Sequence, residues 1–113
     1  MVRKTIDISA QNIDIVHMNL SFDWDMEKAA ANLKKHRVSF EEAVTVFASL
    51  PIEIFHDPDH SDDEERYIAV GFSEKARVLL VVHCENSTGT MIRIISARKA
   101  TAAERRSLLG GAR

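Results

Sequence analysis

Between Met91 and Arg106 an apolar strand pattern, Met91-Ile92-Arg93-Ile94-Ile95-Ser96-Ala97, runs straight into a helix start with cationic side chains on both sides of the junction. The strand fixes Arg93, and the strand-to-helix corner fixes Arg98 and Lys99. The first backbone N–H groups of the new helix have no intrahelical partner and add partial positive charge there. Such a corner is suited to holding a phosphate. Guanidinium groups fit the task because they stay charged and bind phosphate oxygens two at a time. Glu104 is the one acid nearby, and Arg105 follows it. On the preceding apolar segment His83 can act as acid or base, since an unperturbed imidazole titrates at about 6.5. Arg77 and Tyr67 are further candidates for phosphate docking and base stacking. Each has a plainer competing role: Arg93 pairing with Glu65 or Glu85, His83 as a structural strand histidine, Glu104 as a helix cap, and Tyr67 as packing.

The elements that would position these groups follow from pattern. Leu20 and Phe22 alternate in a strand over Asn19 to Asp23. Asp25 then caps a helix whose Met26, Ala29, Ala30 and Leu33 recur at helical spacing, ending near Lys35 or His36. Ser39-Phe40-Glu41-Glu42 has capping-box spacing, with Phe40, Ala43, Val44 and Phe47 as the apolar stripe of a second helix. Pro51 ends that pattern, Ile52 to Phe55 is a short strand, and Asp57 to Glu64 is an acidic loop. Three apolar segments follow, Arg66 to Phe72, Arg77 to Cys84 and Thr90 to Ala97. The links between them are too short for parallel crossovers, which predicts an antiparallel meander. Thr101 and Glu104 repeat the capping-box spacing and open a last short helix to about Leu109. Strict alternation puts Arg77, Leu79, Val81 and His83 on one side of the middle strand, and Arg93 with Met91, Ile95 and Ala97 on one side of the last. It does not decide whether Arg93 and His83 face one cleft.

With 113 residues and 45% apolar content the chain is long enough for one domain with its own core. Residues 18–113 read as that domain and residues 1–17 as an extension of unknown role. No apolar run reaches the length of a membrane span and no secretion signal opens the chain, so the expectation is a soluble cytoplasmic protein with no membrane contact. Cys84 is the only cysteine and reads as a small buried hydrophobe. The formal charge of -2 hides a division: residues 18 to 66 hold 12 acids against 5 Lys or Arg, and residues 67 to 113 hold 3 against 8. A positive half concentrated on a few elements is the footprint of a protein that engages a short piece of polyanion. Metal binding is not expected. Pro58 breaks the helix that His56 and His60 would need, and an EF-hand counted from Asp57 would require Gly at Asp62 and Glu at Ile68. A solvated acidic loop is the expectation instead, with the subsidiary hypothesis that it repels a polyanion locally and helps direct it to the basic side.

Taken in order, Phe22-Asp23-Trp24-Asp25 with Lys28 and Asn32, Lys35-His36, Val38-Ser39-Phe40-Glu41-Glu42-Ala43, Glu65-Arg66-Tyr67, and Ile92 to Thr101 with Glu104-Arg105 resemble the BrnT-type toxins of bacterial toxin–antitoxin modules. The resemblance runs from residue 18 to about 109. It implies an α+β, RelE-like fold, with two N-terminal helices packed on an antiparallel sheet and a short C-terminal helix at the active cleft. It also implies a ribonuclease that needs no metal or other cofactor and halts translation. Its partner would be a ribbon-helix-helix antitoxin, with a homodimer as one arrangement inside the complex. Relatives often carry Gly where Arg37 stands and an aromatic where Leu108 stands.

Metal-free RNA cleavage needs a base for the ribose 2'-OH, cations for the dianionic phosphorane and an acid for the leaving 5'-oxygen. On that scheme Arg93 and Arg98 stabilise charge, His83 and Glu104 are the acid–base candidates, and Lys99, Arg77, Tyr67 and Arg105 contact RNA. Two rival readings use the same residues. A non-catalytic nucleic-acid- or partner-binding module would show salt-sensitive binding without cleavage, and a gyrase-directed toxin of related fold would spare RNA.

Overall fold

Asp25 begins the first helix by accepting a hydrogen bond from the Glu27 N–H at 2.8 Å. The structure, a computed structural model, describes residues 3–7, 20–57 and 65–110. Its strands are β1 (Arg3–Asp7), β2 (Ser21–Asp25), β3 (Ile52–His56), β4 (Glu65–Phe72), β5 (Val78–Glu85) and β6 (Met91–Lys99). Its helices are α1 (Met26–His36), α2 (Phe40–Thr45), continued by a 3₁₀ turn over Val46–Ala48, and α3 (Ala102–Leu108). Among the described residues six strands form one sheet in the order β1-β2-β6-β5-β4-β3. Arg3–Asp7, from the segment expected as an extension, pairs antiparallel with β2 along its full length. Most of the acidic loop, Pro58 to Glu64, lies outside the described residues, as does the expectation that it steers RNA.

The meander holds: β4, β5 and β6 pair antiparallel in sequence. The sheet as a whole is mixed, because β2 pairs with β6 in parallel through Ser21↔Met91, Phe22↔Ile92 and Asp23↔Arg93. Reasoning from hairpin-length links cannot see that pairing, since almost the whole domain separates the two strands. Thr101 and Glu104 form a complete capping box. Ser39 supplies only half of one, accepting from the Glu42 N–H at 3.0 Å, because the Glu42 carboxylate is engaged elsewhere.

Two faces are covered differently. On one, α1 and α2 bury Phe22, Trp24, Phe40, Val44, Phe47, Leu79, Val81, Ile92, Ile94 and Ala97 in the main core, with Trp24 and Phe40 edge to face at 5.9 Å. On the other, Leu108 of α3 packs with Val70 and Val78, and Ile68, Phe72, Leu80 and Ala100 are half-buried around them. Beyond Arg93 no register pairs β6 with β2, and α1 flanks the strand instead. The buried Asn32 amide serves there as a substitute strand: Oδ1 accepts from the Ala97 N–H at 3.1 Å, and Nδ2 donates to the Ala97 carbonyl at 2.8 Å and the Val38 carbonyl at 2.9 Å.

Candidate nucleic-acid face

The register of β6 decides which side chains share a surface. Ser96 lies opposite Val82 but Ile94 lies opposite His83, so the ladder is interrupted by a β-bulge that leaves Ile95 as the extra residue. The bulge corrects the alternation expected for this strand. Ala97 turns into the main core with Ile92 and Ile94, while Arg98 turns to the opposite side, where Arg93 already lies. Arg93 is opposite Cys84, and Arg98 opposite Leu80. The two positions are four β5 residues apart, about 13 Å at 3.3 Å per residue. Two long guanidinium side chains can close on an anion over Ser96, which sits between them on that face.

Each arginine is oriented by a carboxylate. Arg98 and Glu104 make a two-pronged pair, Nη1 to Oε1 at 2.9 Å and Nη2 to Oε2 at 3.0 Å. The same Oε1 accepts from the Thr101 N–H at 2.8 Å. The hydrogen bonds from Arg98 hold the Glu104 carboxyl at about 2, against the effect of partial burial. Glu104 is therefore an anchor for Arg98 and a weak base at neutral pH. Arg93 Nε lies 3.7 Å from Oδ1 of Asp23, its register partner on β2. Arg66 joins the same face, because it is opposite Cys84 just as Arg93 is on the other flank. Sequence reasoning passed over Arg66 in favour of Tyr67; two residues adjacent on a strand face opposite ways, and only the register shows which one accompanies Arg93.

The remaining expected residues lie elsewhere. His83 is fully buried on the α1/α2 side, opposite Ile94, with Tyr67 stacked on it at 5.8 Å and Phe47 edge-on at 4.9 Å. Burial pushes its pKa below the usual histidine value, partly offset by the Val81 carbonyl and the Glu85 carboxylate 3.3 Å away. The ring does not share a cleft with Arg93. Arg77 clamps α2: its Nε donates to Glu42 at 3.0 Å, a second donor also reaches that carboxylate, and Nη2 donates to the Arg37 carbonyl at 3.2 Å. Burial works to raise the Glu42 pKa, but the Arg77 and Ser73 hydrogen bonds outweigh it and hold the group charged. The Arg77 donors expected to dock RNA are engaged instead in this clamp on the buried Glu42. Lys99 and Arg105 are exposed at the two sides of the corner. A hollow of about 470 Å³ lined by Glu65, Tyr67, Glu85 and the Asn86–Gly89 turn carries carboxylates and no Lys or Arg, and so repels phosphate. Among the described residues no three His, Cys, Asp or Glu side chains are grouped as metal ligands.

A family model described as the ribonuclease toxin BrnT of type II toxin–antitoxin systems matches residues 24–104, from Trp24 through the Arg98–Glu104 pair. The chain belongs to the BrnT toxin family. The crystal structure of the Brucella abortus ribonuclease toxin BrnT shares its fold, with a TM-score of 0.51 and 20% identity over 69% of this chain and 92% of that one. No curated protein matches the sequence. Against the BrnT resemblance, both departures now have a physical setting. Arg37 adopts a left-handed conformation, φ 60°, at the end of α1, where glycine is favoured. Leu108 is buried as the apolar anchor of α3, so a residue there packs the helix down and is not presented to a ligand. No helix among the described residues is long and apolar enough to cross a membrane.

Proposed function

We propose that this BrnT family member is a metal-independent endoribonuclease in which the ribose 2'-oxygen attacks the adjacent phosphorus as the P–O5' bond breaks, solvent water taking the 2'-OH proton and supplying one to the leaving 5'-oxygen. The observation that carries the reading is the bulge at Ile95, which sets Arg93 and Arg98 on one face around Ser96. Arg98, held in plane by Glu104, and Arg93, tied to Asp23, stabilise the dianionic phosphorane. In this scheme Glu104 is a positioning residue for Arg98, and Lys99 and Arg105 dock the flanking backbone. His83 and Tyr67 brace the opposite side of the sheet.

The wider reading is that cleavage inhibits translation, that the fold is RelE-like, and that a ribbon-helix-helix antitoxin neutralises the toxin. Membership of a family of type II toxins supports the antitoxin partner. Incubating the purified chain with RNA in EDTA tests the chemistry. The expected products carry 2',3'-cyclic phosphate ends, and Arg98→Ala slows their formation by about 10²- to 10³-fold without unfolding the domain. Binding without cleavage would instead establish a non-catalytic module, and intact RNA with altered DNA topology in cells would establish a gyrase-directed toxin. Rescue of growth by a co-expressed ribbon-helix-helix protein tests the partner.

A further inference from the structure

A second cationic feature lies beside the arginine pair, built from residues that stand in the BrnT-like motifs of the sequence but were given no role there. Lys28, Asn32, Lys35 and His36 fall on one face of α1 at spacings of four, seven and eight residues. Asn32 bolts that face to the edge of β6 through Ala97. Between helix and strand remains a hollow of about 220 Å³ lined by Lys28, Ala31, Asn32, Lys35, His36, Ile95 and Ser96. No carboxylate lines it. Its strand wall is the bulge itself, the segment between Arg93 and Arg98.

We infer that this hollow is a phosphate subsite for the RNA backbone next to the scissile linkage. The inference rests on the nuclease reading for its substrate but on separate residues for its geometry. Lys28 and Lys35 are two helical turns apart, about 10.5 Å along the axis at 1.5 Å per residue. Both residues are exposed and line the opening, so each can neutralise a different phosphate of one strand. His36 is half-buried and adds a ring nitrogen to the lining, and Ser96 adds a hydroxyl on the shared wall. A polyanion lying over Ser96 between the two arginines runs directly into this opening, which a lone small anion has no reason to span. The rigid Asn32 bridge fixes the helix cations relative to the strand cations, so the two sets read one backbone trajectory.

The test is a salt titration of binding to a short single-stranded RNA by the full chain, with Lys28→Ala, Lys35→Ala and the double variant. Both side chains are exposed, so the variants keep the wild-type melting profile. The log–log salt slope is expected to fall by about 0.7 for each lysine removed and about 1.4 for both. Lys34→Ala, on the same helix but outside the hollow, leaves the slope unchanged. A slope unchanged in the double variant overturns the subsite even if the protein cleaves RNA. A reduced slope without any cleavage by the wild type keeps the subsite and removes the nuclease reading. Unchanged RNA slopes with lost binding to an acidic antitoxin segment would reassign the hollow to the protein partner.

Discussion

Arg93 and Arg98 stand five positions apart on β6 and still face the same side of the sheet, because Ile95 is looped out of the ladder between them. Without that extra residue the two guanidinium groups would lie on opposite surfaces, one of them in the main core. Bulges re-aim side chains in this way beside functional sites, and here the re-aiming assembles the proposed phosphate clamp.

Arg93→Ala and Arg98→Ala are each expected to slow RNA cleavage by about 10²- to 10³-fold, the usual loss for one charge-stabilising donor. The double variant should lose less than the product of the single effects, since the pair acts on one phosphate. Initial rates with a labelled RNA, alongside circular dichroism to show an intact fold, measure this; additive losses would separate the two arginines.

Glu104 has a folded pKa of about 2 and an ordinary value of 4.5. Its stabilising contribution is thus full above pH 4.5 and is lost as pH falls through about 2. Glu104→Gln should melt lower than the wild type at neutral pH, with the gap closing on acidification across that window. A gap that stays constant would show that the Arg98 pairing contributes nothing through charge.

For His83 the folded pKa lies below the ordinary 6.5. The unfolded chain therefore takes up a proton that the native ring resists, so stability present above about pH 6.5 declines as pH falls below it. Denaturant midpoints across that range should drop for the wild type and flatten for His83→Leu. His83→Gln should retain cleavage at neutral pH; a loss of about 10²-fold or more would place the ring in the chemistry.

Asn32→Ala removes three hydrogen bonds at once and leaves the Ala97 N–H and two carbonyls unmet. At about 1–3 kcal/mol for each buried group left without a partner, the expected loss is at least about 3 kcal/mol. That corresponds to a fall in melting temperature of roughly 10 °C or more, and a smaller change would mean water replaces the amide.

Arg37→Gly should stabilise the fold by about 0.5–1 kcal/mol, since it relieves a side chain held in the left-handed region at the end of α1. The Arg77 hydrogen bond to this residue uses its backbone carbonyl and survives the change. Chemical denaturation of both proteins reads the difference, and no gain would imply that the arginine side chain offsets the strain.

Local signals in the sequence carried over well. Asp25, Ser39 and Thr101 cap the helices that their spacing marks, and the three apolar segments after Glu64 pair as a meander. What depended on distant residues did not. The partner of Glu42 is Arg77, 35 positions on, and no periodicity links them. The parallel β2–β6 pairing needs the whole intervening fold. At the candidate site, Arg93, Arg98 and Glu104 were legible as a cationic corner with one acid. The sequence pattern could not reveal that one looped-out isoleucine aligns the arginines or that His83 lies behind the sheet, since strict alternation has no place for an extra residue.

The Asn32–Ala97 joint spans 65 positions of sequence. During synthesis α1 is made well before the strand edge against which it locks. Until then its lysines have no wall to face, and the clamp on β6 has not yet been made. On the proposed reading, a growing chain acquires its phosphate-binding surface only once β6 has been made and locked against α1.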